Sequence, residues 1–157
     1  MARRHRAEKR VLLPDPRYGS VLVTRLINTV MREGKKPKAE KIVYYAIERA
    51  NEGRKEADPL EILEKAIDNV KPKLECKSRR VGGATYQVPV EVPPDRQVSL
   101  ALRWIVGFAK RKKGLPMREA LAQELKDAAL GTGNAVRRRD EVHRMAHANR
   151  AFAHLRF

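Results

Sequence analysis

Few side chains in this sequence can do chemistry, and their spacing narrows what that chemistry could be. His143 and His147 stand four apart, a separation that puts two imidazoles on one face of a helix, where a zinc ion could use both. No third ligand is evident and the H-E-x-x-H arrangement is missing, so the pair reads as a helix surface turned to solvent or to a polyanion. Cys76 is the single cysteine, which excludes an internal disulfide and a four-cysteine zinc site. Mid-strand beside Lys77 it lacks the neighbouring base a nucleophilic thiol needs; it reads as a small apolar residue on an inner face. Gly131-Thr132-Gly133 has no Gly-Lys-Ser/Thr ending, so it reads as a helix stop and not as a phosphate loop. The acids from 48 to 68 fall at helix spacings typical of solvated charge and form no acid–base pair. These residues point away from an enzyme, a metal site and a bound cofactor.

What remains is positive charge. The 157 residues hold 35 Lys plus Arg against 19 Asp plus Glu, a formal net charge of +16. Such a surplus repels itself in a compact fold, and a polyanionic partner relieves it. The charge is clustered. Arg3, Arg4, Arg6, Lys9 and Arg10 face only Glu8 in the first ten positions. Lys35, Lys36, Lys38 and Lys41 form a second group, and Lys71, Lys73, Lys77, Arg79 and Arg80 a third, against Glu75 alone. Lys110, Arg111, Lys112, Lys113 and Arg118 follow, then Arg137, Arg138 and Arg139, with Arg150 in the tail. Acids concentrate instead at Glu48, Glu52, Glu56, Asp58, Glu61, Glu64 and Asp68. Basic clusters at element boundaries, with an acidic stretch elsewhere, are what a one-sided phosphate-binding surface needs. Arginine suits it, because its planar fork pairs phosphate oxygens two at a time and stacks on bases. Nucleic acid is therefore the implied partner.

The elements that must carry these charges are mostly helices. Hydrophobic residues make up 42% and aromatics only 5%, so the core is expected to be Leu, Ile, Val and Ala. A basic arm spans 1–19, broken by Pro14, Pro16 and Gly19. Ser20 caps a first helix that Gly34 ends, and Lys36-Pro37 opens a second that Gly53 stops. Asp58-Pro59-Leu60-Glu61 starts a third, closed by Pro72. Asp95 caps a fourth, expected to be the most buried, with Trp104 in its core face. Pro116 starts a fifth, ended by Gly131, and a sixth runs from about Arg138 to about Ala148. The tail, 149–157, has no clear period. Between the third and fourth helices, Thr85 to Val90 alternates like a strand and Lys73 to Arg79 reads as its partner. Val81-Gly82-Gly83-Ala84 supplies the turn, so a hairpin at about 73–90 presents a cationic tip, which buried unpaired charge forbids in a core. The expectation is a mainly α, single-domain bundle of about six helices (20–148) with a protruding two-stranded β-hairpin. No apolar run approaches membrane-spanning length, and Val11-Leu12-Leu13 is too short for a signal-peptide core. Tyr86, Phe152 and Phe157 are candidates for stacking on bases.

Several stretches together resemble one family over nearly the whole chain: "MARRHRAEKR" at the start, "VMREGKK" at 30–36, "NVKP" at 69–72, "SRRVGGATYQVPVEV" at 78–92, "SLALRW" at 99–104 and "ANRAFAHLRF" at the end. The sequence is similar to the small-subunit ribosomal protein seven family, bacterial type. The resemblance implies a non-enzymatic protein that binds 16S-type rRNA directly at a multi-helix junction and nucleates assembly of the subunit head. It also implies a cytoplasmic protein, monomeric within the ribosome, at the subunit interface near the exit-site tRNA and the mRNA path. Ribosomal proteins nine and eleven would be its neighbours. Carried onto this chain, RNA contacts fall on Arg3, Arg4, Arg6 and Arg10, on Lys35 and Lys36, and on Lys77, Arg79 and Arg80 of the hairpin. Gly82 and Gly83 would let RNA approach the hairpin backbone, and the hairpin is the part expected near the exit-site tRNA. Arg137 to Arg139 and the tail extend this set. The residues also leave room for an architectural DNA-binding protein with a basic β-arm, and for an RNA-processing enzyme, which would need a catalytic cluster that is not evident.

Overall fold

The computed structural model describes residues 10–52 and 58–155. α1 (Val21–Val30) begins where the Ser20 hydroxyl accepts from the Leu22 N–H at 3.2 Å, and it buries Val23, Leu26, Ile27 and Val30 along one stripe. α2 (Lys36–Ala50) has its proline in the first turn, where the missing N–H would have had no helical partner. α3 (Pro59–Val70) is capped by the Asp58 carboxylate, which accepts from the Leu60 N–H at 2.9 Å. Then come β1 (Leu74–Val81) and β2 (Ala84–Glu91), followed by α4 (Pro94–Arg111), α5 (Met117–Ala129) and α6 (Gly133–Ala148). The expected mainly helical bundle, with a hairpin between its third and fourth helices, is the architecture found.

Four expectations need correction. The most buried helix is α5, which buries seven of its 13 residues, against six of 18 in α4. Ala120, Ala122, Ala128 and Ala129 let α2, α3, α4 and α6 all pack against it. Trp104 is only half-buried, at the edge of the core. Asp95 lies inside the first turn of α4 instead of capping it, because Pro93-Pro94 already starts the helix. And α6 starts at Gly133, earlier than expected, so Arg137 to Arg139 fall in its second turn. Its first turn is held by Glu124 of α5, whose Oε1 accepts from the Ala135 N–H at 3.1 Å, a cap that no local pattern encodes.

The tail also acquires structure. Arg150–Leu155 forms a 3-10 helix that packs on β2, with the Phe152 ring 5.3 Å from that of Tyr86. These two stacking candidates thus face each other; Phe157 lies outside the described residues, as does Gly53.

Candidate nucleic-acid interface

The hairpin register runs from Leu74↔Glu91 to Val81↔Ala84, so the turn is only Gly82-Gly83, and Val81 and Ala84 belong to the strands. Both glycines have positive φ, 56° and 89°, the backbone that a two-residue turn between right-twisted strands demands. Residues 77–85 are all exposed. Pairing puts Lys77 and Arg79 on the face of Val88 and Tyr86, and Arg80 on the opposite face with Thr85. The cationic tip therefore presents guanidinium groups on both faces of a thin ribbon.

Its base is clamped to the body. Glu75, buried against α4, receives Arg96 Nε at 3.0 Å on each carboxylate oxygen, and Lys77 Nζ lies 3.5 Å away. Lys73 is exposed, and its N–H donates to His143 Nε2 at 2.9 Å, an acceptor role only the neutral ring can play. Burial first, then the Arg139 charge, holds the His143 pKa below 6.5. His143 is thereby spent on joining α6 to the hairpin, and the described residues contain no cluster able to hold a metal. Cys76 pairs with Pro89 and so lies on the face opposite Val88, half-buried, with Asn149 Nδ2 3.9 Å from its sulfur.

Arg3, Arg4 and Arg6 lie outside the described residues; Arg10 is exposed. From Leu13 onward the arm is anchored, the Leu13 carbonyl accepting from the Thr24 hydroxyl at 2.9 Å. Asp15 is buried, accepts from the Arg17 and Tyr18 N–H groups at 3.0 Å, and takes the Tyr44 hydroxyl at 2.7 Å. Burial and this bond to a carboxylate push the Tyr44 pKa up to about 12. Arg17 lies over both the Tyr18 and Tyr44 rings and pairs with Glu48.

Lys35 leads into a groove of about 380 Å³ between α2 and the α4–α5 connection. Val30, Met31, Ala39, Ile42, Ala109, Leu115 and Met117 form its apolar lining, and Arg32, Lys35, Lys38, Lys110 and Lys112 its cationic one. Burial, then the Arg32 charge, lowers the Lys110 pKa, so these cations already crowd one another. Lys35 pairs with Glu33, and Lys36 reaches Glu40 at 3.8 Å. A second groove is lined by Arg10, Arg25 and Arg103 together with Asn28, Thr29 and Ser99, and by Asp95, whose carboxylate lies 3.7 Å from Arg25. Arg25, Arg32 and Arg103 carry no run of charge in the sequence, each being a lone base; their place on the polar side of a helical stripe, or just after it, is the available signal.

Other predicted residues are partly committed within the protein. Arg139 donates to the Asn69 carbonyl and pairs with Asp140, which ties α6 to the end of α3. Arg138 pairs with Glu141, and Lys71 with Asp68. Arg111 lies 5.4 Å from the Phe108 ring centre. Arg137 and Arg150 are exposed.

The buried ionisable groups decide the electrostatics. Among the described residues they are Asp15, Glu75 and Glu124, all acids, and no lysine or arginine is buried. Glu124, at 1% exposure, has Lys112 Nζ 3.2 Å from its second oxygen. Three carboxylates have gone inside, each meeting at least one donor, and no base is buried with them.

The model of the family described as ribosomal protein S7p/S5e matches residues 2–150. The chain belongs to that family. A small ribosomal subunit protein uS7 from Akkermansia muciniphila is 59% identical over 157 residues, with both chains fully covered. Those from Kosmotoga olearia and Dictyoglomus thermophilum are 61% and 60% identical, over 99% and 100% of each chain. S7p/S5e proteins are structural, not enzymatic, which fits the absence of a catalytic cluster in the sequence. No helix among the described residues is long and apolar enough to cross a membrane.

Proposed function

We propose that this chain is a structural constituent of the small ribosomal subunit that grips the subunit's RNA directly. Its binding groups are the N-terminal arm, the two cation-lined grooves and the hairpin. The observation that carries this reading is the sorting of charge: every buried ionisable side chain among the described residues is an acid, and the basic clusters face outward. Desolvating a lysine or arginine is costly, so it stays in water unless a partner anion replaces that water. Phosphates supply such a partner, and released counterions favour the exchange at moderate salt.

On this reading the hairpin is a reaching element. It is clamped at its base by Glu75–Arg96 and Lys73–His143 and exposed beyond Lys77, so it can enter a crevice between RNA segments. Membership of the S7p/S5e family supports the finer proposal: binding at a junction of several rRNA helices in the head, whose assembly it nucleates. The hairpin would lie near the exit-site tRNA and mRNA path, with ribosomal proteins nine and eleven as neighbours. The test compares binding to a folded fragment of small-subunit rRNA with binding to duplex DNA at the same salt. Preference for the RNA junction is expected; equal affinity would favour an architectural DNA-binding protein. Co-sedimentation with small subunits on ribosome fractionation is the cellular counterpart.

A further inference from the structure

Between α4 and α6 lies a groove of about 610 Å³ lined by Arg103, Trp104, Gly107, Phe108, Arg111, Arg138 and Glu141. Neither the hairpin nor Lys35 contributes to it. Trp104 and Phe108 stand one turn apart on α4, both half-buried, packed on the core along one side. Among the described residues no group accepts from the Trp104 indole N–H.

Gly107 is the telling residue. It sits mid-helix, where glycine is destabilising relative to alanine. A Cβ there would meet nothing within 4 Å, so packing does not call for its absence. What the missing side chain does is leave the groove open beside Trp104 and Phe108. Arg103 and Arg111 are eight residues apart on the same helix, about 12 Å along its axis. Arg103 stands before the rings, Arg111 lies over the Phe108 ring at 5.4 Å, and Arg138 faces them from α6, held by Glu141. Aromatic faces bracketed by guanidinium groups suit a base that stacks while its flanking phosphates are neutralised. An acidic peptide would use the charge and leave the flat notch unfilled.

From this geometry we infer that the α4–α6 groove binds an unpaired RNA segment, with a base seated at Gly107 against Trp104 and its flanking phosphates on Arg103 and on Arg111, which lies over Phe108. This rests on the reading of the chain as an RNA binder, and it adds a site for single-stranded RNA distinct from the hairpin and the Lys35 groove.

Trp104 is the only tryptophan, so its emission reports this groove alone. The full chain is titrated with a short oligoadenylate, and separately with polyphosphate and oligoglutamate of matched charge. Oligoadenylate alone is expected to change Trp104 emission saturably. Gly107→Leu, which fills the notch with a better helix former, should weaken that oligoadenylate affinity about tenfold or more. It should melt no lower than the parent and bind the folded rRNA junction, followed by polarisation of labelled RNA, equally well. Binding of oligoadenylate without an emission change, an equal change with polyphosphate, or unaltered affinity in Gly107→Leu would each overturn the inference. A change with oligoglutamate would overturn it in favour of an acidic protein partner. Failure of junction binding in the parent protein would instead strike the broader reading.

Discussion

Replacing Arg79 and Arg80 by alanine isolates the hairpin's contribution. Both side chains are exposed and lie beyond the clamped base, so the substitutions should change stability by no more than about 0.5 kcal/mol and leave the helical circular-dichroism signal intact. Their effect should appear in salt dependence. Each phosphate contact contributes roughly 0.7 to 0.9 to the slope of log affinity against log salt, so losing two flattens that slope by about 1.4 to 1.8. Between about 50 and 200 mM salt, the gap between parent and variant should therefore shrink by roughly a factor of ten. The register sharpens this, because Arg79 and Arg80 project from opposite faces of the ribbon. A hairpin entering a crevice tip-first uses both, and each single variant should then flatten the slope by a similar amount, with the two effects adding. A hairpin lying flat on RNA uses one face, and one single variant should then be silent. The assay is polarisation of labelled rRNA fragment across a salt series. An unchanged slope in the double variant would refute the placing of phosphates on the hairpin. Loss of helix signal would refute the view that these residues have no part in the core.

Deleting residues 1–10 should lower RNA affinity and flatten the salt slope while leaving the melting temperature nearly unchanged, since the anchored part begins at Leu13; an unaltered slope would remove the arm from the interface. Glu124→Ala should destabilise by about 2–3 kcal/mol in urea melts, because the Ala135 N–H loses its cap and Lys112 its buried partner. Glu124→Gln, which keeps an acceptor for Ala135, should lose less. The His143 pKa is held below its unfolded value, so its contribution to stability is full above about pH 6.5 and is lost as acidification passes its folded value. Acidification should therefore lower the protection of the Lys73 amide relative to its intrinsic exchange rate, and His143→Gln should abolish that acid dependence.

Legibility in the sequence followed the range of the interaction. Ser20 and Asp58 cap helices through neighbours two residues on, and Gly82-Gly83 makes its turn alone, so each could be read where it stands. The cap of α6 comes from Glu124, eleven residues before the amide it holds, and the arm's anchor joins Asp15 to Tyr44 across 29 residues. Neither has a local signature. Runs of charge drew attention to Lys35, Lys36 and Arg79-Arg80, whereas Arg25 and Arg103 converge on one groove only after α1 and α4 pack. A further run, Arg137 to Arg139, looks in the sequence like a basic start to the last helix, yet in the fold Arg139 ties α6 to α3.

The one-sided sorting of ionisable groups sets robustness against role. With three carboxylates folded away and a surplus of ammonium and guanidinium groups left outside to repel one another, the isolated protein should gain heat tolerance when exposed lysines are changed to glutamate. Every such improvement would remove a handle for RNA, so a variant optimised to survive alone should be a poor competitor for its place in a ribonucleoprotein.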